Sequence, residues 1–174
     1  MKNIFAALRR DKVVLLELFK EELRDIYGAE KQLTEALPKM KEAASSPDLA
    51  LAFEDHLHVT EDHIKRLEKI FALLGEEADS KKCKGMAGLI EEGEEVIKHT
   101  GDRTATRDVG LIISAQKVEH YEIAAYGSLR QLAKSISPEV AALLETTLQE
   151  EKETDMLLSN LADMMINADA EKEE

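Results

Sequence analysis

The chain has 174 residues, enough for one domain around one hydrophobic core. Hydrophobic residues make up 44% and charged residues 34%, with eight Gly, three Pro, no Trp and 4% aromatics, a balance that favours a bundle of helices over a sheet fold. A net charge of −13 excludes a nucleic-acid surface, which needs basic residues, and makes cations the natural partners.

The stretch Met1 to Arg10 has too short an apolar run for a signal peptide, and no later segment approaches a membrane span. A soluble, cytoplasmic protein with no membrane partner is the expectation. Helix one is expected from an N-cap at Asp11 to about Ala44, with Pro38 bending its last turns. Its apolar face reads Leu16, Phe19, Leu23, Ile26, Glu30, Leu33, Leu37 and Met40, so Glu30 points inward where a leucine belongs.

Ser46-Pro47 opens helix two as an N-cap followed by proline at the first helical position, and Gly75 closes it after Leu74. The inner face is Leu49, Phe53, His56, Thr60, His63, Leu67, Ile70 and Leu74. Seven residues separate the two histidines, roughly 10 Å along the helix, so one ion cannot easily take both. His63 is favoured as a ligand, with His56 and Thr60 in supporting positions.

Glu76 to about Asp108 changes character, with Gly85, Gly88, Gly93 and Gly101 around a short amphipathic helix near Met86 to Lys98. This is a crossover. The single cysteine, Cys83, can form no intrachain disulfide, which suits a reducing compartment, and is expected as an exposed loop residue without a role.

Helix three is expected over about Thr106 to Lys134, with the inner face Ile112, Ala115, Glu119, Glu122, Tyr126, Leu129, Ala133 and Ile136. One turn separates Glu119 from Glu122, which lets them chelate together. Ser137-Pro138 opens helix four, which runs to about Asn167 before an acidic tail, Asp169 to Glu174, expected to fray. Its face reads Leu144, Leu148, Glu151, Asp155, Leu158, Ala162 and Met165. A neighbouring stripe of Val140, Leu143, Thr147, Glu150, Thr154, Leu157 and Leu161 leaves Glu150 as the alternative to Glu151.

Four long helices, two short connections and one long middle connection define a ferritin-like four-helix bundle, all-α, with a short fifth helix in the crossover. The helix midpoints fall near residues 28, 60, 120 and 152, roughly where the polar intrusions lie. In an antiparallel bundle they meet. Glu30, Glu119, Glu122, Glu151 and Asp155 then crowd one small volume, where two divalent cations would leave a charge of about −1. Tyr27 and Tyr126 lie beside this layer, placed to hydrogen-bond ligand carboxylates or to pack in the core.

Three segments, Asp25-Ile-Tyr-Gly-Ala-Glu-Lys-Gln-Leu33, Gln116-Lys-Val-Glu-His-Tyr-Glu-Ile-Ala-Ala-Tyr-Gly127 and Glu150-Glu-Lys-Glu-Thr-Asp155, resemble the YciF/YciE family of ferritin-like stress proteins. The resemblance covers nearly the whole chain and implies a ferritin-like bundle, a homodimer, a two-metal site and a stress-linked role. The wider ferritin-like pattern places Glu-x-x-His on the second and fourth long helices. Here Thr60 stands three residues before His63, and Asp155 follows Glu151 by four.

The leading expectation is a di-iron or di-manganese carboxylate protein with Glu30, His63, Glu119, Glu122, Glu151 and Asp155 as ligands, handling metal or reducing an oxidant such as peroxide. Oxygen-rich donors with few imidazoles suit iron, manganese or magnesium and disfavour structural zinc. The rival is a non-catalytic helical homodimer whose interior acids are paired, with Lys31, Lys117 and Lys152 as the available partners.

Overall fold

The computed structural model describes residues 2–173, with side chains from 13 onward. Its helices are α1 (Lys2–Ala43), α2 (Pro47–Leu73), α3 (Lys84–His99), α4 (Ala105–Ala133), α5 (Pro138–Leu161) and, after a π-helical turn over Ala162–Ile166, α6 (Asn167–Ala170). No strand occurs among the described residues. α1, α2, α4 and α5 are the four long helices read from the sequence, and α3 is the short one in the crossover. α1 begins well before Asp11, so that residue is not its N-cap, and Asp11's side chain lies outside the described ones. No glycine or proline interrupts the chain there, and aspartate alone does not start a helix in a sequence able to continue one.

Local chemistry sets the other boundaries. Ser46, Thr104 and Ser137 sit in extended backbone, and each side-chain oxygen accepts from the N–H three residues on, at 3.4, 3.1 and 3.3 Å. At the far end of α2, Gly75 takes φ +71°, the Gly75 N–H donates to Ala72 O and the Glu76 N–H to Phe71 O. That pairing satisfies carbonyls the helix leaves open and favours a residue without a Cβ.

Neighbouring helices pack in the ring α1, α2, α5, α4, with α3 against α1 and α4. Direction follows from the ends. The Asp108 carboxylate, at the start of α4, accepts from Ser45 N and Ser46 N at 2.7 Å each, so α4 begins beside the end of α1 and runs antiparallel to it. The crossover therefore spans the bundle from the far end of α2. It passes close to α1: a Cβ on Gly28 would stand 1.8 Å from Lys81 O, so only glycine fits there.

Cys83 departs from the expectation. It is fully buried, its sulfur accepts from Met86 N as the cap of α3, and it lies 3.0 Å from Asp25 Oδ2 and 2.9 Å from Tyr121 Oη. The reason is its place at the close approach beside Gly28, which turns a loop residue into a core residue. Burial pushes its thiol pKa up, against the character of a nucleophile. At the other terminus, Glu173 Oε1 and Oε2 accept from Ala105 N and Thr106 N at 2.5 and 2.9 Å. The expectation of a frayed tail did not include this contact, in which a carboxylate meets the open N–H groups of α4; Glu174 lies outside the described residues.

Candidate metal centre

Above and below mid-height the facing stripes are apolar, and at mid-height they are not. Glu30, Thr60, His63, Glu119, Glu122 and Glu151 are fully buried, and His56 nearly so. Four helices thus contribute to one polar layer, because each carries its intrusion in phase with its leucines.

The layer contains two groups able to hold an ion, each with its ligand atoms within 4.8 Å of one another: Glu30, His63 and Glu151 in one, His56, Glu119, Glu122 and Glu151 in the other. Glu151 belongs to both. His63 Nδ1 lies 3.1 Å from Glu151 Oε1 and 3.3 Å from Glu30 Oε1, within ion-pair reach but without the alignment of a hydrogen bond. His56 Nδ1 stands 3.5 Å from Glu119 Oε1, and its Nε2 3.9 Å from Glu151 Oε2.

The seven-residue spacing of the histidines does keep them off a single ion, yet it places one in each group. The sequence expectation of two cations gave His63 alone of the two histidines as a ligand, with His56 in a supporting position; the geometry gives His56 a place in the second group. The choice between Glu150 and Glu151 resolves in an unforeseen way. Glu151 enters the layer, while Glu150, at one-third exposure, reaches the other side of His63, with Oε2 3.0 Å from Nε2.

Asp155 joins neither group. Four residues past Glu151 it has rotated by about 40° and risen one turn, which brings it to the edge facing α4, where Gln116 Nε2 donates to Oδ1 at 3.3 Å and His120 Nε2 lies at 3.5 Å. Tyr27 also turns away from the carboxylates of the layer: its hydroxyl donates to Glu68 Oε1 at 2.8 Å and its ring packs edge-on against Phe71. Tyr126, fully buried, does donate to Glu30 Oε1.

Both carboxylate oxygens of Glu119, Glu122 and Glu151, together with Glu30 Oε2, His56 Nε2, His63 Nδ1 and Thr60 Oγ1, are buried without a hydrogen-bond partner. Each buried carboxylate left ionised and unpaired costs several kcal/mol. The lysines that could have neutralised them face elsewhere: Lys31 Nζ sits 4.1 Å above the Tyr27 ring, Lys117 pairs with Glu92 at 2.6 Å, and Lys152 is exposed.

Electrostatics records the same crowding. Burial, and then the neighbouring Glu151 carboxylate, holds Glu119 and Glu122 well above the ordinary 4.5. Burial lowers His56 to about 4. At His63 burial works against the charged ring but is outweighed by Glu151 and Glu30, which raise it to about 10. Burial and crowding thus favour the protonated forms of Glu119, Glu122 and His63 and the neutral form of His56. Two unpaired imidazole nitrogens among orphaned carboxylate oxygens are a donor set that fits divalent cations.

Comparison with known proteins agrees with the fold. The model of the family described as "Domain of unknown function (DUF892)" matches residues 14–171. The chain belongs to that family. It is 46% identical over 160 residues to Protein YciF of Escherichia coli strain K12, covering 89% of this chain and 94% of that one. The crystal structure of the E. coli stress protein YciF superposes with a TM-score of 0.82 at 41% identity, over 91% of this chain and 98% of that one. YcfI of Rhodopseudomonas palustris, described as a candidate structural protein, superposes with a TM-score of 0.81 at 38% identity, over 83% and 92% of the two chains. The resemblance carried by the three sequence segments is borne out. No helix among the described residues is long and apolar enough to cross a membrane.

Proposed function

We propose that this chain is a stress-associated di-metal carboxylate protein, a homodimer in solution, that holds two divalent ions, iron or manganese, in its polar layer. Glu30, His63 and Glu151 hold one ion, and His56, Glu119, Glu122 and Glu151 the other. The carrying observation is the set of buried carboxylate oxygens and imidazole nitrogens with no protein partner. With Asp155 outside the layer, four carboxylates and two neutral imidazoles balance two divalent charges completely, where five acids would have left a surplus.

A bound pair of redox-active ions supplies electron transfer to an oxidant such as peroxide. The chain's own residues do the rest. Full burial keeps bulk water from the layer. Tyr126 engages one oxygen of Glu30 and leaves the other, Oε2, free to face an ion.

Elemental analysis of protein purified without chelator tests this reading. Two equivalents of iron or manganese are expected in the parent, and fewer than a tenth of that in Glu30→Ala/Glu119→Ala. A folded parent free of metal after growth in iron- and manganese-replete medium would instead favour the structural role suggested for the R. palustris relative. Peroxide consumption by the loaded form then tests turnover separately.

A further inference from the structure

His63 has two unlike sides. Its Nδ1 faces Glu30 and Glu151 inside the layer and lacks a hydrogen-bond partner, while its Nε2 lies 3.0 Å from Glu150 Oε2. A neutral imidazole carries one proton, and the nitrogen facing a fixed carboxylate is the one that keeps it. The other then presents its lone pair.

Glu150 is fixed. Arg66 grips it with both arms of the guanidinium, Nη1 donating to Oε2 at 2.6 Å and Nη2 to Oε1 at 3.1 Å, and Nη1 also donates to Thr147 Oγ1 at 2.6 Å. The planar fork matches the carboxylate and resists rotation. Helical geometry explains the assembly: Arg66 lies one turn beyond His63 on α2, and Thr147 one turn before Glu150 on α5. His56 has no such clamp: its Nε2 makes no hydrogen bond, and the carboxylates nearest its ring, Glu119 and Glu151, belong to the layer itself.

We propose that Glu150, clamped by Arg66, is a positioning residue that holds His63 with its proton on Nε2 and its Nδ1 lone pair inward, so that cation binding at the Glu30–His63–Glu151 position depends on two residues that touch no ion. The inference rests on the di-metal reading. It makes the two ion positions unequal, one with an oriented imidazole and one without.

Titration of the metal-free full-length protein with Mn2+, and nitrogen-15 NMR of its histidines after loading with diamagnetic Zn2+, test it. The parent should bind two Mn2+ and show His63 protonated at Nε2. Glu150→Ala should weaken one of the two Mn2+ by ~10–100-fold, the range for loss of an outer partner of a ligand, leave the other unchanged, and lose the protected Nε2 proton. Glu150→Gln, which keeps an acceptor oxygen and the side-chain shape, should recover much of that affinity, and if the alanine variant does not fold, the weakening expected of Arg66→Ala is the deciding result. Arg66→Ala should weaken the same ion by a smaller factor. A parent with two ions and a Glu150→Ala variant holding both as tightly overturns this inference alone. A parent that binds no Mn2+ overturns the di-metal reading and this inference with it.

Discussion

Where Phe19, Leu23 and Ile26 of α1 face Leu67, Ile70 and Phe71 of α2, the two helices meet through side chains at most 1% exposed. One to three turns further along, the inner faces of the same helices carry Glu30 on α1 and His63, Thr60 and His56 on α2, buried to nearly the same degree. At the apolar end, burial stabilises the fold by about 1.5–3 kcal/mol per large side chain. In the polar layer it costs free energy unless a cation or a proton arrives, because the orphaned oxygens have exchanged water for nothing. The same backbone geometry therefore builds stability in one place and binding capacity in the other.

Matched substitutions give the widest separation between the two regions. Phe71→Ala should lower unfolding free energy by about 3–5 kcal/mol, through lost transfer energy and the cavity left behind, whether or not metal is present. Glu122→Met, similar in shape but apolar, should raise the stability of the metal-free protein by as much as about 1–4 kcal/mol while removing one of the two bound ions. Urea unfolding with and without EDTA, paired with metal analysis, checks both signs. A destabilised metal-free Glu122→Met protein would show that the carboxylate has a partner in the fold and would erase the contrast.

Changing pH sharpens the comparison without mutation. Glu119 and Glu122 have folded pKa values held above the ordinary 4.5, first by burial and then by Glu151, so the folded state keeps protons that the unfolded chain has released and stability falls as pH rises past 4.5. His63 adds to this between 6.5 and about 10, while His56, lowered to about 4, opposes it only between 4 and 6.5. Above pH 6.5 the polar layer therefore pulls one way. Metal-free protein should lose stability from pH 6.5 towards 10, by up to about 1.4 kcal/mol per pH unit for each group titrating. Protein loaded with Mn2+ should reverse the slope, since the ion needs deprotonated ligands. Urea midpoints at pH 6.5 and 9, with EDTA or with Mn2+, would refute this if both forms changed in parallel.

Most of the fold was legible because it rests on local chemistry. Ser46-Pro47, Ser137-Pro138 and Gly75 mark boundaries where the structure has them, and the stripes on α1, α2 and α4 bury the residues that three-four spacing selects, except Leu16, Met40, Leu74 and Ile136 at their ends, which are half-buried. On α5 spacing reached its limit. A four-residue step cannot distinguish a residue of the polar layer from one that has rotated to the helix edge, and so spacing alone groups Asp155 with Glu151. Helix one was cut short because no motif marks a beginning where the sequence simply continues to suit a helix. Cys83, the Glu173 cap and the Arg66–Glu150 grip on His63 are contacts between elements far apart in sequence. Periodicity along one helix carries no information about them. Glu150 gave a partial signal, since the second stripe on α5 already put it near the interior.

Thr60 offers the smallest and most local test of the same contrast. It stands three residues before His63, where the ferritin-like pattern has a carboxylate, and its hydroxyl is fully buried without a partner. Elsewhere in the bundle buried hydroxyls are engaged: Thr147 accepts from Arg66, and Ser114 donates to Gly110 O at 3.0 Å. Thr60→Val keeps the branched shape and removes only the polar atom. Where a hydroxyl makes no hydrogen bond, its removal releases a desolvation cost, so metal-free Thr60→Val should match or exceed the parent by up to about 1 kcal/mol in urea unfolding. The corresponding change at Thr147 removes an acceptor from Arg66 and should cost about 1 kcal/mol or more. A Thr60→Val protein that loses as much as Thr147→Val would mean that the hydroxyl is bound to something in the folded layer, and the orphaned state of its neighbours would fall with it.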